Sequence, residues 1–69
     1  MNTNIIKKLA AMNTELIIRQ ISDVNTLKEI IAISVENQQK IIVSSRCFSD
    51  SDAEGIATIG SGYLTVVVE

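Results

Sequence analysis

The sequence predicts a small α+β domain in which one central helix packs on an antiparallel sheet. Three stretches carry this reading. Asp23–Gln39 (DVNTLKEIIAISVENQQ) has the apolar spacing of an amphipathic helix. Lys40–Phe48 (KIIVSSRCF) is a β-branched run of strand length. Ile56–Glu69 reads as two further strand pieces, IATI and YLTVVVE, parted by Gly60-Ser61-Gly62. The expected order is α-β-α-β-β, a single domain over residues 1–69, with α-α-β-β as the alternative.

In chain order, Asn4–Met12 is short and amphipathic. Ile5, Leu9 and Met12 follow helical spacing, Lys7 and Lys8 face outward, and Asn2 or Thr3 can cap the start. Asn13-Thr14 then interrupts. In Glu15–Ile21 the β-branched residues Ile17, Ile18 and Ile21 favour a strand. Leu16 also continues the series from Ile5, so one helix from residue 3 to about residue 20 is the competing reading.

In the central helix, Val24, Leu27, Ile31 and Val35 form one stripe, with Ser34 inside it and Ile30 on its flank. Lys28, Glu29 and Glu36 lie opposite. Thr26 and Glu29 match a capping box, and Ser22, Asp23 and Asn25 compete as caps. Asn37-Gln38-Gln39 marks the end. Ile33 lies about 150° from the centre of the stripe at 100° per residue and is read as a lone exposed isoleucine, with a second packing surface such as a dimer contact as the alternative.

In the strand that follows, Ile41, Val43, Ser45 and Cys47 share one face and Ile42, Ser44, Arg46 and Phe48 the other. Neither face is cleanly polar, so cover on both sides is expected. Ser49–Gly55 is the strongest loop signal in the chain. The glycines at 60 and 62 suit a tight turn or a bulge within one long strand.

Composition narrows the function classes. Sixty-nine residues carry a core that is small for its surface. Ordering costs about 1.5 kcal/mol per residue, so chains of this size often add disulfides, a metal or a second subunit. Cys47 is the only cysteine and there is no histidine, which excludes an intrachain disulfide, a zinc site and a cysteine–histidine nucleophile. Twelve isoleucines against one Phe and one Tyr make the apolar content almost wholly aliphatic, so self-association is expected.

Net charge is −2; residues 1–46 hold all six Lys and Arg, and residues 47–69 hold four acids and no base. No basic stripe with stacking aromatics is present, so nucleic acid is not an expected partner. No apolar run is long enough for a membrane span, and the start, MNTNIIKKLAAMN, lacks the apolar core and cleavage site of a secretory signal. A lone free thiol suits a reducing compartment, and the chain is read as cytoplasmic.

Asp50-x-Asp52-x-Glu54-Gly55 is the one carboxylate cluster. It overlaps the first half of a calcium loop, where alternate residues aim oxygens at one cation and Gly permits the turn. The twelfth position, Ser61, supplies no bidentate carboxylate. Asp50, Asp52 and Glu54 are therefore read as a solvated acidic turn, with a weak cation site as the sharper alternative. Cys47 is read as a small buried apolar residue.

The functional expectation is a non-enzymatic protein-interaction module that acts as a homodimer without a cofactor. It would be an inhibitor or adaptor of the kind encoded by phages and mobile elements. Ile33, Ile42 and Phe48 are its candidate interface residues. The alternative is a small-molecule or divalent-cation binding protein that uses the 49–55 loop and the 60–62 glycine turn.

Overall fold

Asp23 starts the central helix. Its carboxylate accepts from the Asn25 backbone N–H at 3.0 Å and from the Thr26 hydroxyl at 3.0 Å, so Asp23 is the cap rather than Thr26. The helix runs Val24–Glu36 and is denoted α2. It buries Leu27, Ile30, Ile31 and Ser34, while Val24, Ile33 and Val35 pack half-buried against the same core. The buried face is wider than a single stripe because a helix lies on either side of α2. Ile33 is therefore a flank residue of the core, not the centre of a separate surface.

α2 ends in a Schellman arrangement built without glycine. Gln38 has φ 56°, its N–H donates to the Val35 carbonyl, and the Gln39 N–H donates to the Ser34 carbonyl at 2.8 Å. The polar Asn37-Gln38-Gln39 triplet thus stops the helix and turns the chain into the next strand.

The computed structural model describes residues 2–69. Before α2 come helix α1 (Thr3–Ala11) and strand β1 (Leu16–Ile18). Asn2 caps α1 by accepting from the Asn4 N–H at 2.8 Å. The inward face of α1 is Ile6, Leu9 and Ala10, whereas Ile5 and Met12 are exposed. The expected Ile5/Leu9/Met12 stripe is thus rotated towards the residues that meet α2. The strand reading of residues 15–21 holds over its middle, and the single long N-terminal helix does not form.

After α2 come strand β2 (Ile41–Ser44), a 3₁₀ turn (Ser45–Cys47), helix α3 (Asp50–Gly60) and strand β3 (Leu64–Val67). β2 is shorter than the expected 40–48 strand because Ser44 Oγ accepts the Arg46 N–H and caps the 3₁₀ turn. The larger correction concerns residues 50–60. The expected acidic loop and the IATI strand together form α3. Asp50 and Asp52 lie in its first turn, where carboxylates oppose the helix dipole, and Ser49 Oγ bonds the Asp52 carboxylate at 3.1 Å. Ile56 is buried and Ala53 and Ile59 are half-buried, a helical and not an alternating pattern.

That helix overturns the antiparallel sheet. A strand–helix–strand crossover returns the chain in its original direction, so β3 runs parallel to β2, as β2 does to β1. The architecture is a mixed helix–strand fold in the order α-β-α-β-α-β. Its three-stranded parallel sheet has the order β1-β2-β3, with Leu16 beside Ile41 and Ile41 beside Leu64. The strand order advances in one direction, and right-handed crossovers then place α2 and α3 on the same face. The core sits there: Ala10, Ile18, Leu27, Ile30, Ile31, Ile41, Val43, Cys47 and Ile56. Among the described residues, no helix is long and apolar enough to cross a membrane.

Candidate interaction surface

Side chains alternate across a strand, so the residues between the core positions point the other way. In register, Ile17, Ile42 and Thr65 form one outward row, and Val67 stands beside Ser44 in a second. Among the described residues no helix covers them, although Ile6 and Leu9 of α1 share a groove with Ile17 at the β1 edge. Ile17 is 61% exposed and Val67 45%, while Ile42 at the centre is half-buried by its neighbours.

Two shallow depressions divide this open face and share Ile17 and Ile42. The first, of about 220 Å³, is lined by Ile17, Arg19, Ile42, Ser44, Val67 and Glu69 among others. The second, of about 230 Å³, adds Glu15, Lys40 and Thr65. Each lies below the roughly 300–1,000 Å³ of a typical small-molecule site. The surface is instead a flat apolar strip with a charge at each corner.

The corners are fixed by the strand pattern. Glu15 and Arg19 stand two residues either side of Ile17, and Lys40 and Ser44 two residues either side of Ile42. Glu69 lies over Ser44. Its carboxylate accepts from Ser44 Oγ, its N–H donates to Ser45 Oγ at 2.9 Å, and Arg46 Nε stands 3.8 Å away. The second outward row is thus held polar at its centre by a bonded hydroxyl–carboxylate pair.

Of the interface residues read from the sequence, Ile42 is at the middle of this face. Ile33 and Phe48 are not on it, since both pack half-buried against the core on the helical side. The structure therefore does not bring the three together. Ile17, Val67 and the four corner charges escaped the sequence reading. The signal was present as Glu-x-Ile-x-Arg and Lys-x-Ile-x-Ser, but it acquires meaning only once the register aligns the two isoleucines.

Asp50, Asp52 and Glu54 lie on the first turns of α3, where helical spacing spreads alternate residues around the axis. Asp52 stands 3.8 Å from Lys28 Nζ. Among the described residues, no group of three or more His, Cys, Asp or Glu side chains is placed to hold a metal ion. Gly60 closes α3 and Gly62, with φ 88°, shapes the turn into β3; neither lines the open face.

Cys47 is buried, and its thiol faces the Ile18 carbonyl at 3.6 Å. Burial pushes its pKa up, a shift opposed by nearby backbone hydrogen bonds. This environment suits an inert packing group rather than a nucleophile.

No family model, curated protein or solved structure matches this chain.

Proposed function

We propose that the protein is a non-enzymatic interaction module whose working unit is a homodimer, a small adaptor or inhibitor that assembles through its sheet. One observation carries the reading: an all-parallel sheet with an apolar face left open. Parallel sheets occur almost only with both faces covered, because their strands are apolar on both sides. Here the helices cover the Ile41/Val43 face, and Ile17, Ile42 and Val67 remain on the other.

The size of the chain supports the same reading. A core of nine buried apolar residues among those described, with no disulfide, is small for an independent fold, and a second subunit is a common remedy. Sheet pairing would leave the helical layers outward on both sides, presenting any protein partner with two equivalent surfaces. Residue chemistry favours binding over catalysis, since the open face offers Glu15, Arg19, Lys40 and Glu69 but no activated nucleophile.

The test is the mass in solution. Size exclusion with light scattering should give twice the 7.5 kDa chain mass. A monomer persisting at about 1 mM, where an association worth roughly 4 kcal/mol is half-formed, removes the reading.

A further inference from the structure

We propose that the second copy seats on the open sheet face with its strands antiparallel to the first. The two-fold axis would run along the row Ile17–Ile42–Thr65. This rests on the homodimer reading and adds to it a definite geometry.

The argument is charge self-complementarity. Two stacked sheets lie about 10 Å apart, and a two-fold between them can run either across the strands or along them. An axis across the strands sets each strand over its own copy in reverse, so that positions equally spaced from the axis row exchange places. Glu15 and Arg19 are equally spaced about Ile17, and Glu15 of each copy then meets Arg19 of the other. Lys40 and Ser44 are equally spaced about Ile42, so Lys40 meets the second copy's Ser44, over which the Glu69 carboxylate lies. Glu15 and Arg19 thus find opposite partners, Lys40 meets a carboxylate that already has Arg46 beside it, and Ile17 and Ile42 each pack on their own equivalents.

An axis along the strands gives a different result. Run over the central strand, it sets β2 over β2 in the same direction, which brings Lys40 onto Lys40 and leaves Glu15 over Tyr63; run between β1 and β2, it sets Glu15 on the second copy's Lys40 and Arg19 on its Ser44. The Lys40–Lys40 contact disfavours the first of these, and the second leaves β3, with its exposed Val67, facing no strand. The ordinary twist of packed sheets, about −30°, rotates the copies about the centre and leaves the pairing at the axis row intact.

The decisive experiment mixes two singly reversed chains. E15R makes both β1 corners basic and R19E makes both acidic, so each variant alone should dimerise at least tenfold more weakly than wild type. An equimolar mixture should recover a heterodimer of near wild-type affinity, read by light scattering and by native mass spectrometry. Circular dichroism checks that each variant is folded; both positions are exposed in the monomer. If wild type dimerises and neither variant weakens it, or the mixture fails to recover it, this arrangement is overturned while the homodimer stands. If wild type is monomeric, the homodimer reading and this geometry fall together.

Discussion

Gly60, at the end of α3, lies so close to Leu64 of β3 that a Cβ at position 60 would stand 2.4 Å from the Leu64 Cβ and 2.8 Å from its Cδ2. Leu64 cannot swing away, since its Cβ is fixed by the strand backbone. Gly60→Ala should therefore force α3 and β3 apart. The expected loss is about 2 kcal/mol, the scale of overpacking in a filled core, and chemical denaturation measures it. Unchanged stability would show that the α3–β3 junction is looser than this.

Gly55 is the contrasting case. It lies on the exposed side of α3 with nothing within 4 Å of its would-be Cβ. Gly55→Ala should raise stability by about 0.5–1 kcal/mol through helix propensity alone. A higher denaturation midpoint at unchanged slope is the expected result.

Gln38 holds the left-handed position at the end of α2, where glycine carries no Cβ penalty. Gln38→Gly should stabilise by up to about 1 kcal/mol, offset in part by the entropy glycine gains when unfolded. A loss on substitution would mean that the Gln38 side chain contributes more than its exposed position indicates.

Ser34 Oγ is buried on α2 and has no hydrogen-bond partner among the described residues. A buried unsatisfied hydroxyl costs roughly 1–3 kcal/mol, so Ser34→Ala should be neutral or stabilising. A marked loss in thermal melting would show that the hydroxyl is satisfied in solution.

Cys47 should react with thiol reagents only as fast as the fold opens. Its thiol pKa is raised on folding, so above the pKa of the unfolded thiol the unfolded chain gives up a proton that the native chain keeps. Stability from this group is complete below that pH and declines as pH rises through it towards the native value. Cys47→Ala should flatten this alkaline decline, at the cost of a small cavity.

Much of the helical layer was legible in the residues. Leu27 and Ile31 stand at helical spacing, and Asp23 and Asn37-Gln38-Gln39 punctuate the ends of α2. Residues 50–60 misled because their acids and Gly55 match turn chemistry, while Ile56 and Ile59 are too few to display a period. Yet Ser49-x-x-Asp52 is also a helix-start pattern, and taking it as one yields α3. The parallel sheet follows directly from that helix. The open face was visible only as the two-sided apolarity of Lys40–Phe48. Its corner charges come from separate strands, and no local pattern aligns Glu15 with Lys40 before the sheet exists.

The parallel sheet also governs how the chain can acquire its structure. Among the described residues no two strands are joined by a hairpin: Leu16 meets Ile41 only across α2, and Ile41 meets Leu64 only across α3. Each ladder must therefore close a long loop before its first hydrogen bond forms, and closure entropy is lost ahead of any reward. Helix α2 packs on both α1 and α3 and supplies Leu27, Ile30 and Ile31 to the core, so it is the natural nucleus. Changes at Leu27 or Ile31 should slow refolding, whereas changes at Val66 or Val67 on the last strand should chiefly hasten unfolding.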